Sequence, residues 1–257
     1  MTDNPYILIS NDDGFFAPGL HLLVDSIKDF ARLVIVAPDK KRSGSSMSIT
    51  NRNDIELQFL EELSSHDISW YKCSGTPVDC IKVALSNLMT QPPVMVIGGI
   101  NKGYNIGNES LYSGTVAIGI ESLTKGIPAL SFSFGNTQED ADYECCRPVV
   151  RKIVKFMLGI SSNSTFLLNV NIPAMMTSHD IKICHQAKGH WDKEWTLMES
   201  IGDIRRYKRS GKFVRAMQDD TKSDIWALEH GFVSVVPLLS NLTDNQKIDT
   251  LKKYFER

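Results

Sequence analysis

The chain has 257 residues, a formal net charge of −2 and a sequence pI near 6.3. With 42% hydrophobic and 23% charged residues it reads as a globular chain able to bury a sizeable core. That balance excludes the global basic signature of a nucleic-acid binder, and no window approaches the ~18 to 20 apolar residues of a membrane span. The N-terminus reaches its first apolar run without a signal-peptide pattern. Five cysteines, an odd number with no C-x-x-C, fit reduced thiols. The expectation is a cytoplasmic protein.

In chain order, Tyr6–Ser10 is an apolar strand that ends in Asn11-Asp12-Asp13-Gly14. Two adjacent carboxylates repel each other and call for a counter-charge, most simply a divalent cation. Pro18 opens a helix through about residue 30, with Leu20, Leu23, Val24 and Ile27 at helical spacing. Leu33–Ala37 is a buried strand, so a parallel βαβ unit begins the chain. A Ser-rich loop over residues 39–48, containing Ser43, follows this strand at its carboxyl end. Ile55–Leu60 and Ile68–Cys73 are expected to pair antiparallel. Thr76 caps a helix over residues 77–88. Val94–Ile97 is the next strand, and a Gly- and Asn-rich loop covers residues 98–107, with Asn101 and Asn105. Ser113-Gly114-Thr115 opens a helix to about Lys125. Further elements are a strand at Ala129–Phe134, a helix at Tyr143–Leu158 and a strand at Phe166–Val170. Beyond residue 175 the rhythm fades. Ile181–Cys184 and Phe232–Val236 are strands, the second ended by Pro237, and residues 191–224 are turn-rich and unassigned. Thr243 caps a terminal helix to Tyr254.

This pattern predicts an α/β fold: a Rossmann-like, mostly parallel sheet with helices on both faces, plus a C-terminal arm and terminal helix. Residues 1–180 form the expected catalytic core and residues 181–257 a C-terminal extension used in oligomerisation. Four polar clusters fall at strand ends or helix starts: Asn11-Asp12-Asp13, Ser43, Asn101 with Asn105, and Ser113-Gly114-Thr115. A doubly wound sheet brings such edges to one crevice. Asp12, Asp13, Ser43 and Asn101 make an all-oxygen ligand set suited to Mg²⁺, Mn²⁺ or Ca²⁺. The helix opened by Ser113 offers backbone N–H groups to an anion. Together they suit phosphoryl chemistry by a metal-activated water. The first strand lacks G-x-G-x-x-G, and P-loop, zincin and nucleophile-elbow motifs are absent. The aspartates are adjacent rather than spaced D-x-D, which favours water over an aspartyl nucleophile. A basic run from Arg205 to Arg215 would attract anions.

The segments I-L-I-S-N-D-D-G-F-F-A-P-G (7–19), V-A-P-D-K-K-R-S-G-S-S (36–46), G-T-P-V-D-C (75–80), G-I-N-K-G-Y-N-I-G (99–107), Y-S-G-T-V (112–116) and G-F-V-S-V-V-P-L (231–238) resemble the SurE family of metal-dependent nucleotidases. The resemblance implies hydrolysis of nucleoside 5′- and 3′-monophosphates, with exopolyphosphatase activity associated. It implies one Mg²⁺ or Mn²⁺ on Asp12, Asp13, Ser43 and Asn101, with Asp12, Asp13 and Asn101 as catalytic residues. Asn105, Ser113, Gly114 and Thr115, grouped with Asn11, match the phosphate pocket. A homodimer or homotetramer is implied. Two alternatives remain: a non-catalytic nucleotide or metal sensor that uses the same pocket, and a polyphosphate-binding protein working through the basic arm from Arg205 to Arg215.

Overall fold

In the computed structural model, residues 5–160, 165–176, 178–217 and 219–256 are described. Strand β1 (Tyr6–Ser10) is central and almost wholly buried, as an apolar run covered on both faces must be. Helix α1 (Pro18–Ile27) crosses over to β2 (Arg32–Pro38), which pairs parallel with β1. β3 (Leu57–Phe59) pairs antiparallel with β4 (Ile68–Cys73), as expected, and β4 joins β2 in parallel.

Helix α2 (Pro77–Val83) starts in a reciprocal capping box. Thr76 Oγ1 accepts from the Asp79 N–H, and the Asp79 carboxylate accepts from the Thr76 N–H. The expected helix to residue 88 is α-helical only to Val83 and continues as a π turn over Ala84–Leu88. The chain then returns to the other side of β1 with β5 (Met95–Lys102), parallel to it.

Of the glycine-rich segment expected as a loop over residues 98–107, residues 98–102 are instead the second half of β5, and the loop begins at residue 103. The register against β6 (Ala129–Phe134) shifts between Gly98 and Asn101. Gly99 takes φ +122°, and a side chain there would strike the Phe132 carbonyl, so the irregular strand needs glycine.

Helix α3 (Gly114–Thr124) links β5 to β6. The expected helix at Tyr143–Leu158 divides into a 3-10 turn, Glu144–Cys146, and α4 (Arg147–Gly159), with Pro148 in the first turn where its missing N–H costs nothing. β7 (Leu167–Ile172) continues the parallel run beside β6.

Beyond it lie β8 (Ile181–Ile183), β9 (Gly189–Asp192), β10 (Trp195–Ile201), β11 (Ile204–Arg209) and β12 (Lys212–Arg215). Short helix α5 (Asp224–Glu229), β13 (Val233–Leu238) and α6 (Asn245–Phe255) complete the chain. The unassigned region is thus an antiparallel hairpin, β10 with β11, on a stem of β9 with β12.

β13 is antiparallel to β7 and carries β8 on its far side. Pro237 lies inside β13 rather than ending it. Val233 donates to Asp180 and Val235 accepts from Cys184 on that far side. By the period of two the Pro237 nitrogen faces the same way, past the end of β8, where no donor is needed. The cap of α6 is Asp244, accepting from the Gln246 N–H, one residue beyond the expected Thr243.

Among the described residues the main sheet has nine strands in the order β3-β4-β2-β1-β5-β6-β7-β13-β8. Helices α1 and α4 cover one face, where Ile7, Ile9, Leu23 and Phe132 form the larger core cluster. Helices α2 and α3 cover the other, over Leu8, Val36, Val96 and Ile118. The chain winds outward from β1 in one direction and then the other. The switch point falls between β1 and β5, and the crevice at their carboxyl ends is where such a sheet binds ligands.

Candidate functional site

Four segments converge on that crevice. The β1 end supplies Asn11, Asp12 and Asp13, the loop after β2 supplies Ser43 and Ser45, β5 supplies Asn101, and α3 presents its N-terminus. The loops are tied to one another by the backbone, since the Arg42 N–H donates to the Asp12 carbonyl at 2.7 Å. Gly114 is the closest approach. A Cβ added there would lie 2.8 Å from Ser45 Oγ, 2.9 Å from Asp12 Cβ and 3.1 Å from Pro77 Cγ, so only glycine lets α3 start against β1.

Asp12 is 5% exposed. Burial pushes its carboxyl up to about 6, the neighbouring charge of Asp13 adds to this, and a hydrogen bond from Thr115 opposes it. That bond is short, 2.5 Å from Thr115 Oγ1 to Asp12 Oδ1. The Thr115 hydroxyl is therefore committed to Asp12, and what this residue can offer a phosphate is its backbone N–H in the first turn of α3. Ser113 is the cap of that helix, accepting from the Val116 N–H at 3.1 Å. The N–H groups of the first turn have no intrahelical partner, and the dipole end they form favours an anion.

Asp13 is held from two sides. Its Oδ2 accepts from the Lys102 N–H at 2.8 Å, and its Oδ1 lies 3.0 Å from Lys41 Nζ. Asn101 donates Nδ2 to the Gly103 carbonyl at 2.8 Å, which leaves its amide oxygen as an available donor atom for a cation. Asn11 is wholly buried. Its Nδ2 donates to the Gly14 carbonyl at 2.9 Å, while no protein donor reaches its Oδ1. Ser43 is exposed on its loop, next to the residue tied to Asp12.

Asn105 is 8% exposed at the edge of the crevice and is bonded to β6 and β7 through Ser133, Asn169 and Asn171. Gly107, two residues on, donates its N–H to Asp224 at 2.8 Å. Asp224 also accepts from the Ala187 N–H and is fully buried at the start of α5.

Among the described residues no cluster of three or more His, Cys, Asp or Glu side chains is placed to hold a metal. The donor set is two carboxylates plus neutral amide and hydroxyl oxygens. Such a set fits a hard ion that keeps several waters, not zinc. The buried Asp12 carboxylate and the unpartnered Asn11 oxygen add negative character of the kind that ion requires.

The residues that sequence reasoning missed are Lys41 and Lys102 on Asp13, the Thr115–Asp12 bond, Asp224, and the polar residues of β6 and β7. A signal for the last existed: Asn169 and Asn171, like Ser131 and Ser133, alternate through otherwise apolar buried strands.

A family model for "Survival protein SurE" matches residues 7–193. A protein described as 5′-nucleotidase SurE from Bacteroides fragilis is 37% identical over 250 residues, covering 97% of each chain. One of the same description from Protochlamydia amoebophila is 34% identical over 261 residues, covering 100% of this chain and 98% of its own. The crystal structure of the SurE protein from Aquifex aeolicus superposes with a TM-score of 0.81 at 32% identity, covering 98% of this chain and 100% of that one. Sequence motifs, sheet order and these matches over nearly the whole length agree, and the chain belongs to the SurE family.

Proposed function

We propose that this protein is a divalent-metal-dependent phosphomonoesterase that hydrolyses nucleoside 5′-monophosphates. The observation that carries the proposal is the Thr115–Asp12 bond, which joins the acidic β1 end to the N-terminus of α3 and so supports reading the two as a cation site beside an anion site. The names of the similar proteins supply the substrate class.

Asp12, Asp13, Ser43 and Asn101 would hold one Mg²⁺ or Mn²⁺. When bound, such an ion supplies Lewis acidity and lowers the pKa of a coordinated water. The rest of the work falls to the chain. Thr115 keeps Asp12 ionised against its burial. The Lys102 N–H orients Asp13. Asn105 and the N–H groups of Gly114 and Thr115, behind the Ser113 cap, bind the phosphate and stabilise the negative charge that develops on it. Lys41 keeps a positive charge at the mouth of the site.

The finer reading extends to nucleoside 3′-monophosphates and to terminal phosphates of polyphosphate, for which the basic hairpin supplies Arg205, Arg206 and Lys208. It also includes a cytoplasmic homodimer or homotetramer. In support of assembly, hairpin residues Trp195, Leu197, Met198, Ile204 and Tyr207 are half or more exposed, as are Leu251, Tyr254 and Phe255 on α6. Apolar surface of that extent is what an interface covers. No helix among the described residues is long and apolar enough to cross a membrane.

The test is phosphate release from a panel of nucleoside 5′- and 3′-monophosphates and polyphosphate, with Mg²⁺ or Mn²⁺ and with chelator. Release that requires the metal is expected. Nucleotide binding without release under every metal condition would instead make the protein a sensor, and release unaffected by chelator would remove the metal from the proposal.

A further inference from the structure

Strands β6 and β7 run beneath the segment that carries Asn105. A strand buried on both faces is ordinarily a continuous apolar run, and asparagine is among the residues it least favours. Here Ser131, Ser133, Asn169 and Asn171 are all fully buried and spaced two apart, so one face of both strands is polar. Burial of amides is tolerated when their partners are supplied. Most of what these residues bind is one residue, Asn105.

The Asn105 N–H donates to Asn171 Oδ1 at 2.8 Å. Its carbonyl accepts from Asn169 Nδ2 at 2.8 Å and from Asn171 Nδ2 at 3.0 Å. Its side-chain Nδ2 donates to Ser133 Oγ at 2.8 Å. The backbone of Asn105 is thus closed on both sides, and one of its two amide hydrogens is fixed. A side-chain amide has two. The second is left directed by the first.

The register runs Asn101, Ser133, Asn171 across β5, β6 and β7, so the clamp lies in line with a candidate metal ligand. One further detail separates this arrangement from ordinary core packing. No protein donor reaches Asn169 Oδ1, although the residue is wholly buried. An unpartnered buried acceptor is unfavourable, and a leucine of similar volume would avoid it.

We propose that Ser133, Asn169 and Asn171 are positioning residues, which fix Asn105 at the phosphate of the substrate without touching it. This rests on the proposed role of Asn105 in binding phosphate. The full-length variants Ser133→Ala, Asn169→Leu and Asn171→Leu, with Asn105→Ala as reference, test it. Orthophosphate binding in the presence of Mn²⁺ and Mn²⁺ binding alone are measured by calorimetry, with the thermal midpoint of each variant.

Orthophosphate affinity is expected to fall about tenfold in Ser133→Ala and in Asn169→Leu, the scale of a sub-ångström misplacement. Mn²⁺ affinity should stay within about twofold, and the thermal midpoint of Asn169→Leu should be unchanged or raised. The double variant Ser133→Ala with Asn105→Ala should bind orthophosphate no more weakly than Asn105→Ala alone, because residues acting through one group are not additive.

Unchanged orthophosphate affinity in Ser133→Ala and Asn169→Leu, with a loss in Asn105→Ala, would overturn the clamp alone. Unchanged affinity in Asn105→Ala would overturn the phosphate role of Asn105 first. A joint fall in Mn²⁺ affinity and thermal midpoint would reduce the three residues to structural support and overturn the proposal. Asn171→Leu removes two of the bonds at once. If it does not fold, the other two variants decide.

Discussion

Replacing Thr115 with valine removes one hydroxyl and keeps the shape of the side chain. In the parent, burial holds the Asp12 carboxyl at about 6 even with the Thr115 bond in place. A hydrogen bond to a charged group contributes ~1.5–3 kcal/mol. At 1.36 kcal/mol per pH unit its loss moves the carboxyl up by about one to two units. At pH 7 the parent Asp12 is about nine-tenths ionised, and the variant would be between about half and one-tenth ionised. A cation that needs the ionised carboxylate then competes with a proton. The assay is a Mn²⁺ titration by calorimetry at a series of pH values from roughly 5 to 9. The pH midpoint of apparent affinity should rise by about one to two units in Thr115→Val, while the affinity at high pH matches the parent within about twofold. Coincident midpoints for the two proteins would refute the reasoning, because Asp12 would then not be the proton-linked ligand or Thr115 would not govern it.

The same carboxyl links stability to pH in chelator-treated protein. Its folded value is above the ordinary 3.8, so the folded chain holds the proton more tightly than the unfolded one, and the contribution is full below about pH 4 and lost as pH rises through 6. That loss amounts to about 3 kcal/mol, and melting curves of Asp12→Asn against pH should lack it. Asp13→Asn should fold yet lower phosphate release by at least ~10²-fold, measured in Mn²⁺; full activity would remove Asp13 from the site. Gly114→Ala would bring a methyl to 2.9 Å from Asp12 Cβ, an overpacking worth ~1–3 kcal/mol, and should lower the melting midpoint and Mn²⁺ affinity together. Asp224→Ala leaves the Gly107 and Ala187 N–H groups without their buried acceptor, and a chemical denaturation curve should show a loss of ~2–5 kcal/mol.

Much of this protein follows from local chemistry that a sequence displays. Continuous apolar runs such as Tyr6–Ser10 and Leu33–Ala37 have to be buried on both faces, which implies parallel strands and covering helices. A loop that follows such a strand lies at a carboxyl edge, so Asp12, Asp13 and Asn105 could be gathered before any fold was drawn. The capping box of Thr76 and Asp79 and the cap at Ser113 are legible because they depend on residues three apart. What sequence does not carry is contact between distant segments. Asp12 and Thr115 are 103 residues apart, and Asp13 and Lys102 are 89 apart. Whether Gly98-Gly99 makes a loop or an irregular strand depends on the Phe132 carbonyl and the Thr115 carbonyl that crowd them, and neither is local. The hairpin over residues 195–209 has exposed residues throughout, so no core-facing period marked it. The β1 carboxylate pair called for a counter-charge by its own repulsion, but only the tertiary structure decided which groups set its charge. Burial against α3 raises Asp12, and a hydroxyl arriving from that helix opposes the rise.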